Sequence, residues 1–152
     1  MTCKFCQIAQ GEIPAHVVIS NDTCLGFLDR RPLFPGHCLL IPKGHIETLA
    51  ELPPDQIAPL FRTAQLLSKA VEQALNAEGT FVAINNRVSQ SIPHLHIHIV
   101  PRRRKDGLKG FFWPRNPYPD EESAAKTRAL IQQAIRRLVG DEERDYLNKE
   151  VK

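Results

Sequence analysis

The sequence predicts an α+β domain: a five-stranded antiparallel sheet, a long crossover helix and a C-terminal helix. Three observations carry that expectation. Apolar side chains in the stretch 55–77 recur at three-and-four spacing, as one stripe of a helix requires. The segment His94-Leu95-His96-Ile97-His98-Ile99-Val100 alternates histidine with aliphatic residues, which is the period of a strand. Short apolar runs bounded by turn residues precede both.

In chain order, residues 3–10 form a short helix carrying Cys3-x-x-Cys6, stopped by Gly11 and Pro14. Val17 to Ser20 and Cys24 to Asp29 make a hairpin around the turn dipeptide Asn21-Asp22. A Pro- and Gly-rich loop, 30–36, leads to a third strand from His37 to Pro42. The long helix runs from Asp55 to Ala77, with Ile57, Leu60, Phe61, Ala64, Leu67, Val71 and Leu75 in its stripe. Pro53-Pro54 punctuate its start and Gly79 its end, while Pro59 either kinks the first turns or marks where regular helix begins. Thr80 to Ile84 is the fourth strand, and the loop 85–93 leads into the histidine strand. After a long loop to Pro119, a second amphipathic helix spans 121–139, with Asp120 as N-cap and Gly140 as stop.

With 152 residues, the chain suits one domain with a real core. Residues 1–140 are expected to form it, and 141–152 to fray as a charged tail. Hydrophobic content of 42% and charged content of 24% are ordinary for a globular protein. No apolar run is long enough to span a bilayer, and Met1-Thr2-Cys3 opens no signal-peptide pattern, so a cytoplasmic protein without a membrane partner is expected. The net charge of +3 favours anionic small molecules over a dedicated nucleic-acid surface. Four cysteines without a secretory signal point to reduced thiols, with Cys24 and Cys38 as small buried hydrophobes.

The histidine strand is where chemistry concentrates. Alternation puts His94, His96 and His98 on one face, with alternate residues about 6.6 Å apart. Leu95, Ile97 and Ile99 fix the register from the other face. Such a row is a polar strand face, a metal face, or a nucleophilic imidazole flanked by helpers.

The flanks Gln90-Ser91-Ile92-Pro93 and Pro101-Arg102 favour the last. Triad and flanks together resemble the histidine-triad family of nucleotide hydrolases and transferases, with likeness from Cys3 to Trp113. The resemblance implies a HIT-like fold in which His96 attacks an α-phosphate, becomes a nucleotidyl-imidazole and is released by water. His98 would touch phosphate oxygens and His37 would add charge near them. Gln90, Ser91 and one of Asn85 or Asn86 would hold phosphates or the leaving group. Asp29 would accept from both ribose hydroxyls, with Phe27 and Ile8 at a purine base. A third histidine, where the transferase branch has glutamine, implies hydrolysis. The substrate would be a dinucleoside polyphosphate or a nucleoside phosphoramidate. A homodimer through the long helix and the strand 80–84 is implied as well. The alternative is a purine-nucleotide-binding protein with vestigial catalysis.

One Cys-x-x-Cys is weak evidence of a metal, because tetrahedral Zn²⁺ needs four ligands. His45 and His94 complete the set, and some bacterial histidine-triad proteins resemble this arrangement. A structural zinc on Cys3, Cys6, His45 and His94 is therefore expected. The basic run Arg102-Arg103-Arg104-Lys105 is by default a solvated face, although its position suits distal phosphates. Trp113, with Phe111-Phe112, either closes over the site or packs on the second helix.

Overall fold

All five strands form, as β1 Val17–Ser20, β2 Cys24–Leu28, β3 Cys38–Pro42, β4 Gly79–Ile84 and β5 Ile97–Arg102. They make one antiparallel sheet in the order β1-β2-β3-β5-β4. The computed structural model describes residues 3–108 and 116–138. The chain divides into two compact units, Met1–Leu108 and Lys109–Lys152. Trp113, Phe111, Phe112, Gly140 and the tail 141–152 lie outside the described residues. Among those described, no helix is long and apolar enough to cross a membrane.

The hairpin turn is built by Asn21, whose Oδ1 accepts from the backbone N–H of Thr23 at 3.0 Å and of Cys24 at 2.8 Å. Strand alternation then gives the sheet two apolar faces. On one, Cys24, Cys38, Leu40, Leu95, Ile97 and Ile99 meet Leu60, Ala64, Leu67 and Val71 of helix α2, Pro54–Leu75. Gly26 permits that approach, since a Cβ there would lie 2.6 Å from Ile19 and 3.3 Å from Leu67. On the other face, Leu25, Phe27, Leu39 and Ile41 pack around Phe5 of helix α1, Lys4–Ala9.

Helix α2 starts with Pro54 at its first position and Asp55 in its first turn, both favoured there. Pro59 sits inside the helix, early enough that the helix continues through it. The end differs from expectation. Asn76, not Gly79, terminates α2 in a left-handed conformation with its N–H bonded to Glu72 O, and Gly79 opens β4. The predicted stripe also divides. Leu60, Ala64, Leu67 and Val71 are buried, whereas Ile57, Phe61 and Leu75 on its flank stay exposed. The sheet reaches only part of the apolar arc.

The histidine segment enters the ladder later than its alternation suggests. Hydrogen-bonded β5 begins at Ile97, opposite Leu40. Beyond Leu40, β3 pairs only with β2, so Leu95 N–H turns to Ile46 O at 2.6 Å instead. The two-residue alternation survives without the ladder, because Leu95, Ile97 and Ile99 are all fully buried beneath α2. Helix α3, Glu121–Leu138, starts as expected. Asp120 Oδ1 accepts from Ser123 N–H at 2.7 Å, which holds the carboxyl below its usual range.

Candidate active site

A cavity of about 860 Å³ opens on the sheet face away from α2. Phe5 and Ile8 of α1, Phe27 of β2, Asp29, Ser91, His96 and His98 all line it. A mostly apolar wall with a few convergent polar groups is the usual form of a small-molecule site. Phe5 was not singled out in the sequence; its signal is the Phe5/Ile8 spacing, which puts both on one face of a short helix.

The hydrogen bonds assign the histidine tautomers, because a carbonyl can only accept and a backbone N–H can only donate. His96 Nδ1 lies 2.7 Å from His94 O, so Nδ1 carries a proton, and the neutral tautomer that fits this bond has its lone pair on Nε2. The His94 carbonyl thus orients the ring so that Nε2, not Nδ1, is the nitrogen free to face the cavity. His94 Nε2 lies 2.9 Å from Pro42 O, so its lone pair is on Nδ1. Leu33 N–H donates to His37 Nδ1 at 3.1 Å. His37 therefore donates from Nε2 to His98 Nδ1, 3.0 Å away, which leaves the Nε2–H of His98 without a hydrogen-bond partner among the described residues. Burial reinforces the neutral forms. It lowers the pKa of His37, and lowers that of His98 to about 4 with help from the neighbouring His96 and His37.

These assignments correct the expected role of His37. The residue is 3% exposed and its Nδ1 is an acceptor, so at neutral pH it brings no positive charge to a phosphate. Its 3.7 Å approach to Asp29 Oδ2 is correspondingly no ion pair. His37 does not itself line the cavity, and its hydrogen bond toward it goes to His98. Asp29 Oδ1 accepts from Arg31 N–H at 2.9 Å, which fixes the carboxylate at the cavity edge.

The loop before the triad departs from expectation too. Gln90 Oε1 accepts from Arg87 N–H at 2.8 Å, while its Nε2 donates to Glu47 O at 2.6 Å. Each end of the amide thus has a backbone partner, one in this loop and one at Glu47, and Gln90 does not line the cavity. Asn86 is similarly structural, accepting from Leu49 N–H at 2.8 Å. Asn85 is half-buried and outside the lining; Ser91 is in it. The basic run is a clamp on the fold. Arg102 pairs with Asp106 through bonds of 2.6 and 2.9 Å, and Arg103 donates to Leu75 O at the end of α2 at 2.6 Å. The Arg102 pairing holds Asp106 well below the usual carboxylate range.

Beside this site, Cys3, Cys6, His45 and His94 converge, one ligand atom from each lying within 4.8 Å of the others. Zn–S near about 2.3 Å and Zn–N near about 2.05 Å put tetrahedral S and N ligands roughly 3.6 Å apart. The observed separations fit: Cys3 Sγ to His94 Nδ1 is 3.4 Å, Cys6 Sγ to His94 Nδ1 is 3.6 Å, and Cys6 Sγ to His45 Nδ1 is 3.3 Å. Opposite nitrogens face acceptors that orient the rings, Pro42 O for His94 and Glu47 at 3.8 Å for His45. These four residues can hold a metal ion. A second grouping, Asp29, His37 and His98, is already accounted for by the hydrogen-bond chain among its imidazoles.

Comparison with known proteins agrees with this geometry. The adenylylsulfatase HINT3 of Arabidopsis thaliana is 41% identical over 108 residues, 70% of this chain and 55% of that protein. The adenosine 5′-monophosphoramidase hnt1 of Schizosaccharomyces pombe is 35% identical over 127 residues, covering 82% of this chain and 92% of that one. Among solved structures, a Zn-bound histidine triad family protein from Mycobacterium smegmatis superposes with a TM-score of 0.68 at 36% identity. It covers 90% of this chain and 98% of its own. The HIT domain matches residues 10–105. The chain, with its His-x-His-x-His row beside the cavity, belongs to the HIT family.

Proposed function

We propose that the protein is a nucleotide hydrolase that cleaves at an α-phosphate through a covalent nucleotidyl-His96 intermediate. The observation that carries this reading is the His96 tautomer: Nδ1–H is tied to His94 O, which leaves the Nε2 lone pair for attack beside a cavity. Attack forms the Nε2–P bond and breaks the bond to the leaving group, which departs toward Ser91 and takes its proton from solvent water. The Nε2–H of neutral His98 donates to the phosphoryl oxygens, and His37 holds that ring in its donating tautomer. Water then attacks phosphorus, a nucleoside 5′-monophosphate leaves, and His96 regains its lone pair. Asp29 takes the ribose hydroxyls, with Phe27 and Ile8 against a purine.

Relatives that act as an adenylylsulfatase and an adenosine 5′-monophosphoramidase support small leaving groups on adenosine 5′-phosphate. A dinucleoside polyphosphate is the other substrate class to test. Zinc is the proposed occupant of the four-ligand cluster, on the ligand chemistry and the Zn-bound relative. With four side chains as ligands it leaves no position for substrate, so its contribution is structural. His96→Ala is expected to lose turnover of adenosine 5′-phosphoramidate and of a dinucleoside polyphosphate, and to form no adduct in a single-turnover quench. Undiminished hydrolysis by that variant rejects the mechanism; binding without product in the wild type favours a binding protein.

A further inference from the structure

Helix α1 has six residues, no side-chain bond at its N-cap Cys3, and no acidic residue in its first turn. A helix that short does not hold itself in water. Its position rests on what its side chains reach, and they reach two places at once. Cys3 and Cys6 belong to the four-ligand cluster, with His45 and His94. Between them in sequence, Phe5 points into the other site. It is 6% exposed, its ring meets Phe27 edge-on at 5.5 Å, and it meets the His96 ring edge-on at 5.3 Å. The same ring stands 5.9 Å from His94. Lys4, Phe5 and Ile8 form one wall of the cavity. Residue His94 likewise serves both places, with its ring at the cluster and its carbonyl on His96 Nδ1.

We propose that Phe5 is a positioning residue through which the Cys3/Cys6 cluster sets the affinity of the nucleoside cavity and the orientation of His96. The proposal rests on the reading of the cavity as a nucleotide site. A metal on the two sulfurs draws α1 against the sheet, and Phe5 then closes the wall and braces the imidazole. Without it, α1 is released from one end and both effects relax. Coupling between two sites is reciprocal, so AMP must tighten metal binding by the factor by which metal tightens AMP.

The test uses the full chain, with and without zinc, as wild type and as Phe5→Leu, which keeps an apolar core residue and leaves the four ligands intact. For the wild type, removing zinc with a chelator is expected to weaken AMP about tenfold by calorimetry. AMP is expected to raise zinc affinity by the same factor in a competition with a chelating dye. In Phe5→Leu both factors fall below about twofold while zinc still binds. An AMP affinity that ignores zinc in the wild type, or full coupling in Phe5→Leu, overturns the proposal. A second readout needs no nucleotide: the ¹⁵N ring resonances of His96 are expected to move on adding zinc to the wild type, and to move less than half as far in Phe5→Leu, where the His94 carbonyl is the route that remains. If AMP binds neither form, the nucleotide reading fails, and an unmoved His96 signal in the wild type would overturn the coupling as well.

Discussion

Replacing Gly36 with alanine tests how the loop before β3 holds His37. Gly36 has φ of +95°, and a Cβ there would stand 2.1 Å from Leu75 Cδ1 and 3.5 Å from Pro101 Cγ. Two costs follow. A side chain in left-handed backbone costs about 1–2 kcal/mol. The clash is with the tip of Leu75, which is 39% exposed and can turn outward, at about 0.5–1.5 kcal/mol for an off-rotamer side chain. Gly36→Ala should therefore lose about 1.5–3.5 kcal/mol in urea melts. Leu75→Ala removes only the steric part. Measured against that background, Gly36→Ala should still cost about 1–2 kcal/mol. Function is affected further downstream. His37 N–H bonds to Phe34 O at 3.0 Å and its ring accepts from Leu33, so a shifted turn moves the His37–His98 bond. A misplacement near 1 Å can cost about 100-fold in rate, and turnover of adenosine 5′-phosphoramidate should fall by about 10- to 100-fold. Stability within about 0.5 kcal/mol of wild type, a size typical of neutral surface changes, would refute the reasoning, as would complete rescue by Leu75→Ala.

Acid should destabilise the protein through His98. Its folded-state pKa is about 4 against an ordinary 6.5, so the unfolded chain binds the proton first and stability rises with pH between those values. The loss from pH 7 to pH 4 is up to about 3 kcal/mol, His37 adds in the same direction, and His98→Gln should flatten the urea-midpoint profile in this window. Protein purified without chelator should contain about one zinc per chain by elemental analysis, as four ligands per site imply; Cys3→Ser with Cys6→Ser should lose it and lower the melting temperature. Less than about a tenth of an equivalent, not raised by reconstitution, would leave these as ordinary thiols. Ile57 and Phe61 on α2 and Val82 on β4 are exposed apolar residues, and a homodimer covering them should appear by light scattering at micromolar protein. A monomer there, unchanged by Phe61→Glu, would count against it.

What was legible in the sequence was what local periodicity encodes. The stripe of α2, the alternation around His96, the Asn21 turn and the Asp120 cap are each written within a few residues, and each formed. The unread features depend on partners far along the chain. Nothing near Gln90 says that Glu47 O will take its amide. His37 is neutral because it is buried and because Leu33 N–H points at its Nδ1, neither of which spacing reveals. The late start of β5 follows from where β3 leaves it for β2. The cysteine–histidine cluster was legible as a ligand set, whereas the brace that Phe5 makes on His96 needed the fold.

The strand order has a consequence for how the protein acquires its chemistry. β5 lies between β3 and β4, both of which precede it in the chain. Until residues 97–102 arrive, β3 and β4 are two open edges of unpaired backbone, the kind of surface that joins to other chains. The β3–β5 pairs link residues about sixty positions apart, a separation that favours late formation relative to α2 and the first hairpin. The histidine row runs directly into the segment that closes the sheet, with His98 on β5 and His94 and His96 just before it. A chain stopped before residues 94–102 therefore lacks both the strand that closes the sheet and the histidines proposed to act.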